Sequence, residues 1–179
     1  MRSWLVIVVA LLAALGSCAR RTAAAPLPAA DIVTNAVRTA EGGHKVVLVE
    51  FGASWCVWCN RFAEFVQAPA TAPVMASNFV IANITVRESD AKKALENPGG
   101  EQMLEEWGGE KAGLPFYVFL DDRGHKLADS NAMPDGSNIG FPDNDNETEA
   151  FVGLLSRTAP HFDDADRAAV TAYLSHHGA

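Results

Sequence analysis

Apolar and polar residues alternate in blocks along the chain after residue 30, and each block has the pattern of a strand or of a helix. Three apolar runs predict strands, and the first of them is near-continuous and β-branched, as in a strand that is buried on both faces. They cover residues 45–51, 79–86 and 116–120. A turn at residues 121–124 and a returning strand at residues 125–128 complete the predicted sheet.

The segments between these strands have apolar residues at helical spacing. The predicted helices cover residues 31–41, 56–66, 74–76, 89–107, 147–157 and 163–176, with a break in the fourth at residues 97–100. Gly42 and Gly43 are expected to end the first helix. Residues 129–146 are polar and rich in Gly, Pro and Asn, which predicts a long loop. The mixture of strands and helices predicts an α/β domain.

The first residues have the pattern of an export signal. An apolar run at residues 5–15 follows Arg2, and it has the length of a signal-peptide core but is short for a membrane span. Residues 15–18, Leu-Gly-Ser-Cys, resemble the lipobox of bacterial lipoproteins, in which the cysteine becomes the lipidated N-terminus. We therefore predict a signal peptide at residues 1–17, lipidation of Cys18 and a tether at residues 18–30.

Two other interpretations of the N-terminus stay open. Ordinary signal cleavage near residues 22–25 would leave Arg20 and Arg21 between the apolar run and the cut, which is atypical. In the second interpretation, the apolar run at residues 5–15 stays on the protein as a short, uncleaved membrane anchor. All three interpretations place the rest of the chain outside the cytoplasm, in the periplasm or cell envelope.

Composition fits one domain, predicted at residues 31–179, in which the last helices form a C-terminal extension. The chain has 179 residues, of which 49% are hydrophobic and 20% charged. Its net charge of -8 argues against nucleic acid and against an anionic membrane surface as partners. Contact with a membrane is therefore expected only through the N-terminal anchor.

A Cys-x-x-Cys pair, Cys56 and Cys59, lies where the first predicted strand gives way to a helix. At a helix N-terminus, backbone N–H groups and the helix dipole stabilise a thiolate, which is the attacking species. Cys59 follows one helical turn later on the same face and can therefore release a mixed disulfide. We expect the sulfur of Cys56 to be exposed to solvent and that of Cys59 to lie behind it.

Other uses of such a pair fit this sequence less well. A zinc site needs two further ligands, and the five histidines show no ligand spacing. Haem attachment needs a histidine after the second cysteine, where Asn60 stands. A purely structural disulfide that closes so small a loop stabilises little. We predict no bound metal and no cofactor.

Residues 46–59, Val-Val-Leu-Val-Glu-Phe-Gly-Ala-Ser-Trp-Cys-Val-Trp-Cys, and residues 113–116, Gly-Leu-Pro-Phe, resemble the thioredoxin family. The resemblance implies a thioredoxin-like fold, a central mixed β-sheet flanked by helices, with a redox disulfide between Cys56 and Cys59. It further implies a cis peptide bond before Pro115, which would lie against the dithiol.

The same resemblance implies a role for each matching residue. Cys56 would be the nucleophile, Cys59 the resolving thiol and Glu50 the buried acid that exchanges a proton with the resolving thiol. Pro115 would shape the groove. The remaining groove residues would be Trp55, which packs beside the dithiol, Trp58, and Leu114, whose backbone pairs with an extended substrate. From the residues alone, Glu50 could also be a carboxylate that faces water, and Trp58 a packing aromatic.

Several positions depart from the family pattern and bear on redox potential and substrate. The usual acid is Asp, whereas Glu50 is longer by one methylene. The intervening pair, Val57 and Trp58, contains neither Gly-Pro nor a histidine, and Leu114 is bulkier than the common residue before the proline. The long loop at residues 129–146 replaces much of a final strand.

The expected function is an extracytoplasmic thiol–disulfide oxidoreductase. Without a histidine between the cysteines the thiolate is less stabilised, which favours a reductant over an oxidant. Its partners would be protein thiol or disulfide clients and a membrane electron donor. A thioredoxin-fold binding module or holdase that uses the groove without turnover, and a metal carrier that uses the two thiolates, remain as alternatives.

Overall fold

A computed structural model describes residues 24–177. The elements in chain order are α1 (Ala29–Gly43), β1 (Val46–Gly52), α2 (Val57–Gln67), α3 (Ala72–Asn78), β2 (Phe79–Thr85), a 3₁₀ helix (Asp90–Leu95), α4 (Gly100–Leu104), a π-helical turn (Glu105–Gly109), β3 (Phe116–Leu120), β4 (Lys126–Asp129), α5 (Asp145–Thr158) and α6 (Asp164–His177). The predicted signal peptide and Cys18 lie outside the described residues.

The four strands form one mixed sheet in the order β2-β1-β3-β4. Strand β1 pairs with β2 in parallel and with β3 antiparallel, so it is central. All seven residues of β1 are buried, as its continuous apolar run predicts. The predicted α/β fold, a central mixed sheet flanked by helices, is therefore confirmed.

Alternate residues of β1 face two separate cores. Leu48 belongs to the core that α2, α3, α5 and α6 cover, whereas Val47 and Val49 belong to the core that α1 and α4 cover. Because side chains alternate along a strand, Glu50 lies on the same face as Leu48, beneath α2. This alternation brings the carboxyl group of Glu50 towards the cysteines.

The first helix extends through Gly42 and Gly43, two residues beyond its predicted end. Gly43 is its last residue, and His44 caps it in the left-handed conformation with φ of 51°. The backbone N–H of His44 donates to the carbonyl of Ala40, which satisfies one of the last carbonyls of the helix. The first half of the predicted helix at residues 89–107 is also different, since Asp90–Leu95 is a 3₁₀ helix.

The predicted long loop extends from residue 130 to residue 144, where Asn144 caps α5. The side chain of Asn144 accepts a hydrogen bond from the N–H of Glu147, and Glu147 accepts one from the N–H of Asp143. None of the helices within residues 24–177 is long and apolar enough to span a membrane.

Candidate active site

Cys56 and Cys59 form a disulfide at the N-terminus of α2. Cys56 is the N-cap residue, and its Sγ accepts a hydrogen bond of 3.1 Å from the backbone N–H of Cys59. A backbone hydrogen bond from Cys56 to Ala53 closes the turn between β1 and this helix. The predicted position of Cys56 at the opening of a helix is therefore confirmed, and its sulfur lies where backbone N–H groups favour negative charge.

The expectation that Cys56 is exposed is wrong. Cys56 is 3% exposed and Cys59 is 8% exposed, so the first cysteine is the more buried of the two. The physical reason is a small apolar cluster of Ala53, Cys56 and Cys59, against which Leu114 packs. The bulk of Leu114, which the sequence showed as a departure from the family pattern, thus limits access to the disulfide.

Shortening the side chain of Leu114 is expected to make the disulfide more accessible. Leu114→Ala should raise the rate at which dithiothreitol reduces the Cys56–Cys59 disulfide by about tenfold, because exchange depends on access to the sulfur. Stopped-flow tryptophan fluorescence measures this rate. Leu127→Ala, at a half-exposed position of β4, is the control and should leave the rate unchanged. An unchanged rate in Leu114→Ala would contradict this account of the buried sulfur.

Glu50 approaches Cys59 across Gly52, where the space beside the backbone is narrow. A Cβ atom on Gly52 would lie 2.6 Å from Oε1 of Glu50 and 3.3 Å from Sγ of Cys59. The first distance is a steric clash, so the missing side chain of Gly52 is what lets the carboxyl group and the sulfur share this space.

Glu50 is buried and its carboxyl group is incompletely paired. The residue is 8% exposed, and its Oε1 atom is buried without a hydrogen-bond partner among the described residues. Burial raises its pKa from 4.5 to about 7. A carboxyl group with this pKa exchanges protons near neutrality, which a general acid or base requires. The alternative in which Glu50 faces water is wrong.

A cavity of about 360 Å³ adjoins this side of the disulfide. Glu50, Cys59 and Glu88 line it, whereas Cys56 does not. The cavity thus lies at the C-terminal ends of β1 and β2, where it adjoins the carboxyl group of Glu50 and the second cysteine.

Both tryptophans of the motif are exposed at the rim of the site. Trp55 is 57% exposed, and its indole N–H donates to the carbonyl of Arg87 at 2.8 Å. Trp58 is 38% exposed, and the guanidinium of Arg61 lies 4.8 Å from its ring centroid. Two exposed aromatic side chains next to a disulfide provide contact area for an apolar partner.

The peptide bond between Leu114 and Pro115 is cis, as the family resemblance implied. Leu114 contacts the cysteine cluster directly, so the segment before β3 meets the start of α2 at the disulfide. The structure therefore brings Cys56, Cys59, Glu50 and Leu114 together, and Trp55 and Trp58 lie at the edge of this group.

Arg87 links the turn that carries Trp55 to the segment that precedes Pro115, and it was not predicted from the sequence. Its guanidinium donates to the carbonyls of Gly109, Glu110 and Ala112 and forms an ion pair with Glu101 at 2.9 Å. Its own carbonyl accepts the indole N–H of Trp55. The available signal was its place directly after the strand predicted at residues 79–86, at the end of the sheet where β1 leads to the cysteines.

Loss of the Arg87 side chain is expected to loosen the segment that precedes Pro115. Arg87→Gln should lower the free energy of unfolding by about 2 kcal/mol, since charge-assisted donors are removed from several carbonyl groups. Arg87→Lys should recover only part of this, because an ammonium lacks the planar fork. Urea denaturation measures the effect, with Arg123→Gln at an exposed turn as the control. Equal stability of Arg87→Gln and the wild type would contradict the bracing role.

Glu88 is a second residue that the sequence interpretation missed. It is 6% exposed and accepts hydrogen bonds from the backbone N–H and the hydroxyl of Ser54. These bonds fix the turn that carries Trp55 towards Cys56. A polar residue after a predicted strand gives little indication of such a role.

Metal ligands are not concentrated near the disulfide. Within residues 24–177, no group of three or more His, Cys, Asp or Glu side chains could hold a metal ion.

Solved structures with a similar fold include several redox proteins. A disulphide isomerase from Xylella fastidiosa Temecula1 aligns over 84% of this chain and 92% of its own, with 15% identity and a TM-score of 0.50. A DsbH oxidoreductase aligns over 70% and 80%, with 17% identity and a TM-score of 0.47. The C-terminal domain of DsbD from Neisseria meningitidis in its oxidised form aligns over 59% and 84%, with 22% identity and a TM-score of 0.40. At 15% identity, the likeness to the disulphide isomerase shows the fold alone.

Comparison with curated proteins finds no match. A family model described as thioredoxin-like matches residues 30–122, which is more than half of the chain and includes β1, both cysteines and Pro115. The thioredoxin-like fold with a disulfide-bonded Cys-x-x-Cys pair supports thiol–disulfide oxidoreductase activity, and the chain belongs to the thioredoxin-like family.

Proposed function

We propose that the protein is an extracytoplasmic thiol–disulfide oxidoreductase that reduces disulfides in client proteins. The observation that carries the proposal is the Cys56–Cys59 pair at the start of α2, with the buried carboxyl group of Glu50 beside Cys59. The first sulfur has donors that favour a thiolate, and the second has a proton acceptor of suitable pKa.

The proposed reaction has two exchange steps. The thiolate of Cys56 attacks one sulfur of a client disulfide, a mixed disulfide forms, and the other client sulfur leaves as a thiolate. Cys59 then transfers its proton to Glu50 and attacks Sγ of Cys56, which releases the second client thiolate. Two electrons pass from the protein dithiol to the client, and the Cys56–Cys59 disulfide is formed again.

Client contact is proposed at the rim formed by Trp55, Trp58, Leu114 and Pro115. The two tryptophans offer exposed aromatic surface, and the cis bond before Pro115 presents the Leu114 backbone next to the sulfurs. An extended segment of the client would pair with this backbone, as a strand pairs with a sheet edge.

The proposed location and electron donor rest on the sequence pattern of the N-terminus. A signal peptide at residues 1–17 and lipidation of Cys18 would hold the domain at the outer side of a membrane through the tether at residues 18–30. Glutathione and thioredoxin keep thiols reduced in the cytosol, so a reductant beyond it needs another source. The proposed source is a dithiol partner in the membrane that reduces the Cys56–Cys59 disulfide.

The reduction potential of the pair tests the direction of electron flow. Purified protein is equilibrated in glutathione buffers, free thiols are alkylated, and the masses of the peptides that contain Cys56 and Cys59 are measured. A potential near that of thioredoxin, about −270 mV, is expected for a reductant. A potential near that of DsbA, about −120 mV, would show an oxidant and overturn the proposed direction.

One observation favours the holdase as a second candidate. Trp55, Val57 and Trp58 are exposed around the site, whereas both cysteines are buried, which suits binding more than sulfur chemistry. If the protein is a holdase, the wild type and the Cys56→Ser/Cys59→Ser double variant should bind unfolded clients equally well. Binding of a reduced, unfolded client that differs between the two proteins would exclude it.

A further inference from the structure

Carbonyl groups on both sides of Leu114 accept hydrogen bonds, whereas the backbone groups of Leu114 itself make none among the described residues. Arg87 donates to the carbonyls of Gly109, Glu110 and Ala112, on the N-terminal side. On both sides of Leu114, the side-chain amide of Asn138 donates to the carbonyl of Gly113 at 2.9 Å and to that of Pro115 at 3.0 Å. Within residues 24–177, nothing hydrogen-bonds to the N–H or the carbonyl of Leu114 itself. The N–H and the carbonyl of Leu114 are therefore unpaired, whereas the carbonyls of Gly113 and Pro115 on either side are already hydrogen-bonded.

A cavity of about 570 Å³ adjoins these open groups. Its walls are the segment around Gly113 and Leu114, the side chain of Trp58, and the loop from residue 130 to residue 144. The volume falls within the range of about 300–1,000 Å³ that is typical of ligand sites. The loop thus supplies the wall that faces the Leu114 backbone.

The loop is anchored at both sides of Asn138. Ile139 and Phe141 are each 4% exposed and belong to the core beneath α2 and α5. The N–H of Ile139 donates to the carbonyl of Ser130 at 2.8 Å, which closes the loop on itself. A wall fixed in this way loses little conformational entropy when a ligand binds.

We propose that residues 130–144 form the second wall of the client site, and that Asn138 is the positioning residue that keeps the Leu114 backbone available. The occupant is an extended segment of a protein client next to its cysteine, because the site offers an unpaired backbone donor and acceptor beside a cavity of side-chain size. A small disulfide does not need either feature. This inference rests on the proposed function, and the loop lies beyond the residues that the family model matches.

A side chain at Gly113 tests the cavity without disturbing the cysteines. A Cβ atom at Gly113 would have nothing within 4 Å, so Gly113→Leu is accommodated and extends into open space beside the cavity. Gly42 in α1 also has nothing within 4 Å of its Cβ position, and Gly42→Leu is the matched control. Asn138→Ala is the second variant, since it removes both amide hydrogen bonds while the cavity stays empty.

Each variant is assayed with insulin as the protein disulfide, with dithiothreitol as electron source, and, after reduction and removal of dithiothreitol, in a single turnover with 5,5′-dithiobis(2-nitrobenzoate) as the small disulfide. We expect Gly113→Leu and Asn138→Ala to lower kcat/KM for insulin about tenfold, mainly through KM, because backbone pairing is lost. The loss for the small disulfide should be much smaller, and Gly42→Leu should match the wild type on both.

Equal losses on the two substrates, or no loss on insulin in either variant, would overturn the inference. Thermal unfolding of each variant shows whether a loss of kcat/KM reflects the site or a damaged fold. If Gly113→Leu is unstable, Asn138→Ala still tests the inference. A wild type that reduces neither substrate would instead overturn the proposed function, and this inference with it.

Discussion

Cys56→Ser is expected to lower the rate of insulin reduction by about 1,000-fold or more, since a hydroxyl does not supply the attacking thiolate. Cys59→Ser should retain the first exchange and accumulate mixed disulfides with clients, because no second sulfur releases them. Non-reducing gel electrophoresis followed by mass spectrometry identifies these adducts and their attachment to Cys56. The contrast between the two variants assigns the nucleophile.

Cys18→Ser is the matched control for both variants. Cys18 lies far from the pair in sequence, so its replacement should change neither turnover nor trapping. Adducts are best collected in the Cys18→Ser background, where Cys56 is the sole remaining thiol of the Cys59→Ser protein. Adducts that form on Cys59 in the Cys56→Ser protein, at the rate seen for Cys56, would reverse the assignment of the two cysteines.

Glu50→Gln is expected to stabilise the oxidised protein at alkaline pH by about 3 kcal/mol. The pKa of Glu50 is raised by burial from 4.5 to about 7. The folded protein therefore binds this proton more tightly than the unfolded chain. The favourable contribution is fully present below pH 4.5 and is lost as the pH rises through about 7. At about 1.4 kcal/mol per pKa unit, the difference amounts to about 3 kcal/mol.

Urea denaturation between pH 4 and pH 9 measures this linkage. The wild type should lose stability across the window from about 4.5 to 7, whereas Glu50→Gln should lack this component. Glu149→Gln, at an exposed position of α5, is the control and should follow the wild-type curve. Parallel pH curves for the wild type and Glu50→Gln would show that Glu50 titrates alike in the folded and unfolded states.

The same variant separates stability from catalysis. Without a proton acceptor beside Cys59, release of the mixed disulfide should slow by about tenfold or more at pH 7, although the fold is more stable. Single-turnover kinetics with an insulin mixed disulfide measure this step. A release rate equal to that of the wild type would remove Glu50 from the proposed mechanism.

The strands and most of the helices were predictable from the sequence, because each depends on a local pattern. The apolar run that precedes the cysteines has the composition of a strand buried on both faces, and β1 is such a strand. The helix start at Cys56 follows from its place after a strand and a turn. The end of α1 was mispredicted because His44, and not a glycine, takes the left-handed conformation.

The site was predictable only in part, because several of its contacts join distant segments. The motif and the cis bond before Pro115 came from the family resemblance. The packing of Leu114 against the cysteine cluster did not, since it depends on how closely the segment before β3 approaches α2. Arg87 and Asn138 were missed because a side chain that binds backbone carbonyls has no periodic pattern of its own.

The order of the elements and the cysteine pair at a helix start could be predicted from the chain, since hydrophobic periodicity and a short motif act over neighbouring residues. Tertiary structure alone decided that Cys56 is the more buried cysteine, that Glu50 meets Cys59 across Gly52, and that side chains from two distant segments hold the backbone around Leu114. The physical reason is that burial and hydrogen-bond pairing between distant segments arise only when the sheet and its helices pack.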